Sequence, residues 1–253
     1  MSDSSRGTGT ELYVGYLPLP ARHKRFLRIM VPTFLWILVV VSGVVVLGMR
    51  EPGEAVWDTG QQRSWSGLLM MEPYPTLHTD DGAYLIVEMG KMGAHHRLVS
   101  HDGTMITVSG WRLQREARNM IELAPEEDAI QPADGLPTLA RPSFVTAGQF
   151  ELVGEIVDGK CFLGAMKPGD GKTHKACAVL CVSSGLPPLL ATRNETGQTV
   201  MYLVELDGHV DGDYPRGFLD LIAEPVTIVG EIGSIGDLPL IRAGLDGIAP
   251  VGN

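Results

Sequence analysis

The sequence predicts an all-β-dominated protein: a duplicated β-unit, read as tandem small β-barrels, hung from one N-terminal transmembrane helix and carrying one short helix in its second β-domain. Three observations carry this. A run of 21 residues without a charge stands near the N-terminus. Short apolar and β-branched runs separated by Gly, Pro and Asp turns fill the remainder. The two halves of that remainder also repeat one another. Composition agrees, because 31 glycines and 17 prolines beside 6% aromatics favour short strands and turns, and 44% hydrophobic residues in 253 suffice for a core.

Residues 1–28 read as a cytoplasmic tail. Its first part, MSDSSRGTGT, is polar, and LYVGYLPLP is more apolar than a free tail needs, which suits a membrane face or a neighbouring subunit. Residues 29–49, Ile29 to Met49, are the predicted span: at 1.5 Å per residue such a helix is about 30 Å long, the thickness of a bilayer's hydrocarbon core. A cleaved signal peptide would show a shorter apolar core with small residues close behind it, whereas MREPGEAVWD follows here. Pro32 falls in the first turn of that span, where a missing N–H costs least. Arg22, Lys24, Arg25 and Arg28 crowd one flank and only Arg50 the other, so the N-terminus is expected in the cytoplasm and the bulk of the chain in the periplasm, at a bacterial inner membrane.

Residues 50–62 read as a polar linker and 63–124 as a first periplasmic β-domain, with AYLIVEMG, MITVSGWRLQ and NMIELA as strand-like runs. Residues 125–148 hold four prolines without periodicity and read as a second linker. Residues 149–253 form the second β-domain, with FELVGEIVD, TVMYLVEL and EPVTIVGEIG as its strands. Laying ITVSGWRLQREARNMIELA over VTIVGEIGSIGDLPLIRAG sets Gly110 on Gly230, and Tyr84-Leu85 falls on Tyr202-Leu203. A glycine at that place lets a strand bend at a barrel corner, as small five-stranded barrels of the OB type require.

Only the second copy carries the insertion CFLGAMKPGDGKTHKACAVLC, which holds all three cysteines. Its GKT is not a phosphate loop, because Met166 stands where the first glycine is needed. THKACAVLCVSSG predicts a helix with Thr173 as N-cap and Gly185 as stop. On it His174, Cys177 and Cys181 share one face, onto which Cys161 can fold back. Cys161, His174, Cys177 and Cys181 are therefore candidate ligands for copper or zinc. The alternative is a disulfide among Cys161, Cys177 and Cys181, natural outside the cytoplasm. Haem and iron–sulfur patterns are absent from the sequence. His95, His96 and His101 read as solvated loop residues, and DGHVDGDY as a turn that lacks the acidic end of a calcium loop.

The segments GEIVDGKCFLGAM, HKACAVLC, SGLPPLL and YLVEL resemble small secreted or membrane-anchored bacterial β-proteins in which GEVVD-x-x-CYL precedes H-x-x-CA-x-x-C and GG-x-P. The resemblance covers part of the second β-domain, and Ser184 stands where the pattern has Gly. It implies an OB-like fold and leaves activity open.

The first 50 residues hold six Lys/Arg and two Asp/Glu, and the rest hold 14 and 28. The outer part is thus strongly acidic, which excludes nucleic acid as a partner and suits a basic soluble electron carrier. No hydrolase or metalloprotease motif stands out, so no enzymatic activity is expected. The favoured expectation is a single-span accessory subunit of a bacterial respiratory or photosynthetic complex, docked on integral membrane subunits. The alternative is a membrane-tethered periplasmic metal-binding protein using the Cys₃His set.

Overall fold

Alanine, leucine and the basic residues between positions 21 and 28 are good helix formers, and they extend the apolar run backwards. In the computed structural model, which describes residues 20–48, 54–133, 141–209 and 211–252, helix α1 accordingly spans Ala21–Gly48. Pro32 lies inside it rather than in its first turn, so the Arg28 carbonyl loses its helical donor. From Phe26 to Val46 the large apolar side chains are exposed, Trp36 to 68%. By length and composition α1 can cross a bilayer or serve as a signal sequence.

The rest of the described chain is dominated by strands. The first six are β1 (Ala55–Met70), β2 (Thr76–Thr79), β3 (Gly82–Val87), β4 (Met105–Arg115), β5 (Arg118–Leu123) and β6 (Ile130–Pro132), with a short helix α2 (His95–Leu98) between β3 and β4. They hydrogen-bond in the order β1-β2-β3-β5-β4, and β4 returns to β1, closing a five-stranded barrel on which β6 adds an edge to β4. The second six are β7 (Phe144–Asp158), β8 (Pro188–Arg193), β9 (Thr199–Leu206), β10 (Pro225–Ile235), β11 (Leu238–Ala243) and β12 (Ile248–Pro250). Helix α3 (Lys175–Ser183) lies between β7 and β8, and α4 (Arg216–Leu221) between β9 and β10. The order β7-β8-β9-β11-β10, closed by β10 on β7, repeats the first barrel strand for strand, down to the parallel pairs β3–β5 and β9–β11. Both are barrels of the expected OB-like kind.

Register confirms the internal repeat residue by residue. Leu85 pairs with Met120 and Leu203 with Leu240, while Arg115–Arg118 and Ile235–Leu238 close the corresponding two-residue hairpins. In those hairpins Glu116 and Gly236 occupy matching left-handed positions, φ 49° and 60°. Gly110 and Gly230 stand at the same corner, where an added Cβ would lie 2.1 Å from the Glu122 carbonyl oxygen and 2.4 Å from that of Arg242. Gly67 and Gly154 form a second such pair, against the carbonyls of His78 and Ala191.

Element bounds differ from the expected linkers. β1 begins at Ala55, and between Val56 and Ser66 it pairs along β4 while leaving most of its side chains exposed. Its polar composition therefore imitates a linker at 50–62. β6 and the start of β7 likewise fall within the expected linker 125–148, of which 134–140 lie outside the described residues.

β3 and β5 are buried on both faces. Tyr84, Ile86, Ile121 and Leu123 fill the first barrel, whereas Leu85, Val87 and Met120 join a core that includes Ile156, Phe162 and Leu189 of the second. Such strands read as unbroken apolar runs, as AYLIV does. Together the barrels share one continuous apolar seam.

Candidate metal centre

In the first barrel β1 and β2 are joined by residues 71–75; in the second the same connection is residues 159–187. This insertion starts as β7 ends. Asp158, its last residue, is fully buried, and its Oδ1 accepts the Cys161 N–H at 2.8 Å. That bond turns the chain into a wide π-helical turn, Cys161–Ala165, which ends through Gly164 at φ 149°. A Cβ there would meet the Val56 and Trp57 backbone of β1 at 2.8–3.0 Å, so the turn packs directly on the first barrel. Phe162 is buried under the Arg115 guanidinium, 4.1 Å from its ring centroid. Lys160, 3% exposed, donates to the carbonyls of Glu88 and Gly90 at 2.7 and 2.8 Å and to Glu122 Oε1 at 2.6 Å.

The loop that follows carries GDGKT, and it is a tether. The Gly171 N–H donates to Glu155, and Lys172 and Lys175 both pair with Glu224, at 3.3 and 2.9 Å. Helix α3 starts one residue later than the sequence suggests: His174, not Thr173, is the N-cap, without a side-chain capping bond. Gly185, at φ 90°, ends the helix as expected.

The side chains then converge. The Sγ atoms of Cys161, Cys177 and Cys181 all lie within 4.8 Å of one another, and all three cysteines are unpaired. His174 does not complete a single four-ligand set with them. Its Nε2 instead meets Asp158 Oδ2 at 2.9 Å, with both side chains buried, and the second convergent group is Asp158, Cys161 and His174. Cys161 belongs to both groups.

Charge is distributed unevenly over the thiols. A hydrogen bond toward Cys181, together with burial, pushes the Cys161 thiol up, and the same bond draws Cys181 down. The shared bond is the first cause of both shifts: it favours the protonated form at Cys161 and the thiolate at Cys181. Lys91, in the turn after β3, donates Nζ to Cys177 Sγ at 3.0 Å, and that bond raises the lysine. The first barrel therefore supplies a cation to the cysteines of the second.

No family model, curated protein or solved structure matches the chain. The chemistry of the site follows from its own geometry. Three thiolates each about 2.3 Å from one ion in a common plane stand about 4.0 Å apart, so sulfurs within 4.8 Å of one another reach a common ion by shifts of no more than about half an ångström each.

Sequence reasoning found the cysteines and His174 but not Asp158, Lys91, Lys160 or Glu122. Asp158 had a local signal, because Asp-x-x-Cys places a carboxylate within reach of the N–H three residues on. Lys91 and Glu122 had none, since only the folded seam brings them to the insertion. His95 and His96 lie on the short helix α2 rather than in a loop, and His95 stands 4.0 Å from Asp211.

Proposed function

We propose that the protein is a membrane-anchored metal-binding protein, held by α1 with its barrels on the periplasmic side, whose Cys161, Cys177 and Cys181 take a copper(I) ion. The observation that carries it is the convergence of three unpaired thiols, those of Cys161 and Cys181 buried and that of Cys177 half-buried. Three soft donors with the neighbouring imidazole engaged by Asp158 suit copper(I), whereas structural zinc takes four ligands. Full-length protein in detergent, reduced and supplied with copper(I) against a competing chelator, is expected to retain one copper per chain by elemental analysis. The Cys177→Ser/Cys181→Ser double variant should bind at least about tenfold more weakly. Retention of zinc but not copper, or a disulfide found by thiol counting that resists mild reductant, overturns this reading.

A second reading, the accessory subunit of an electron-transfer complex, is supported by α1. Its apolar side chains have no cover among the described residues, which suits packing against integral membrane subunits. The acidic outer part suits a basic electron carrier. Purification of the native protein in mild detergent is then expected to bring further membrane subunits in fixed ratio. A clean monomer would sink this second reading and leave the metal centre untouched.

A further inference from the structure

We infer that Asp158, Cys161 and His174 form a second metal position, for a divalent ion such as zinc(II), bridged to the first through the Cys161 thiolate. The inference rests on the three-cysteine copper reading and extends it from one ion to two.

The donor atoms of this second set also lie within 4.8 Å of one another, and all three residues are buried, Asp158 completely. Sulfur, imidazole nitrogen and carboxylate oxygen together are a borderline donor set that a divalent ion accepts and copper(I) does not prefer. Ligands about 2.0 Å from an ion can stand as close as the 2.9 Å that separates His174 Nε2 from Asp158 Oδ2. An ion entering between them takes the place of the shared proton without moving either side chain far.

Charge points the same way. Three thiolates and one carboxylate bring four negative charges into a site where all but Cys177 are buried, and uncompensated buried charge is strongly unfavourable. Copper(I) alone leaves most of that unbalanced. Copper(I) with one divalent ion supplies three positive charges, and Lys91, 3.0 Å from Cys177 Sγ, supplies the fourth. Cys161 is the only residue that both groups share. It sits between them because Asp158 fixes its backbone N–H, the same carboxylate that offers an oxygen to the second ion.

The test uses full-length protein in detergent, first loaded with one copper(I), then titrated with cobalt(II) as the probe of the divalent position. Expected is uptake of one cobalt per chain with a sulfur-to-cobalt charge-transfer band, which reports Cys161 as a ligand without any substitution. Asp158→Asn and His174→Gln keep hydrogen-bonding groups of similar shape; each is expected to weaken cobalt binding by about tenfold or more while copper stays bound. One copper without cobalt, cobalt without the charge-transfer band, or cobalt that survives both substitutions overturns the second position and leaves the copper site standing. Wild-type protein that takes up cobalt in this way but no copper overturns the copper reading instead, together with the bridge.

Discussion

Lys160→Met is expected to destabilise the tandem barrels by about 3–5 kcal/mol, because it removes one partner of a buried ion pair. Lys160 and Glu122 expose 4% of their side chains each and meet at 2.6 Å. The remaining ammonium hydrogens go to the carbonyls of Glu88 and Gly90. Without the lysine, a carboxylate of β5 and two carbonyls of the first barrel are left facing the insertion of the second with no donor. Glu122→Leu alone strands the lysine in the same way. The double variant Lys160→Met/Glu122→Leu should recover most of the loss, since an apolar pair of similar volume often replaces a buried ion pair at little cost. Full-length protein in detergent, unfolded with denaturant and followed by the fluorescence of Trp57, Trp65 and Trp111, measures all three. A single-variant cost below about 1 kcal/mol would place the pair in solvent-like surroundings and remove the polar fastening between the barrels.

That fastening shows what the sequence could and could not disclose. The duplication was legible because a barrel corner needs a glycine and a closing hairpin needs a fixed length; both survive in sequence as the spacing from Gly110 to the paired strand and from Gly230 to its own. The run AYLIV was legible as a strand, but its burial on both faces, which its unbroken apolar character fits, was not read from it. The cover is the core of the second barrel together with the cysteine insertion, and nothing local connects that insertion to Glu122, Lys91 or the backbone of Val56. Contacts of that separation leave no periodicity. The start of β1 was hidden for the opposite reason: between Val56 and Ser66 it pairs with β4 on either side of a break at residues 59–62 while facing water, so its side chains carry a linker's composition. At the site, helix periodicity placed Cys177 and Cys181 together correctly, and it also grouped His174 with them. The competing carboxylate of Asp158, one turn of chain before Cys161, drew His174 into a separate group.

Gly110→Ala and Gly230→Ala are each expected to cost about 3 kcal/mol, the range in which extra atoms forced into a packed site displace backbone. The new methyl would sit 2.1 Å from the Glu122 carbonyl oxygen in one barrel and 2.4 Å from the Arg242 carbonyl oxygen in the other. Neither neighbour is the free end of a side chain; both belong to strands already hydrogen-bonded on the barrel wall. Relief thus requires the closing hairpin to move away from the corner, which loosens the closure of β4 on β1 or of β10 on β7. Gly60→Ala serves as the control, because its added Cβ meets only the Asp58 side chain at 3.9 Å and should change stability by no more than about 0.5 kcal/mol. The two corner variants probe different barrels by the same physics, so their costs should agree within about 1 kcal/mol. Gly110→Ala carries one more consequence. It presses on the Glu122 carbonyl, so it should shift Glu122 against Lys160 and lower the gain from the ion pair, whereas Gly230→Ala, remote from that pair in the topology, should leave the Lys160–Glu122 coupling unchanged. Equal coupling in both backgrounds would mean that the corner yields without disturbing β5, and the close approach at Gly110 would then not be what shapes the seam.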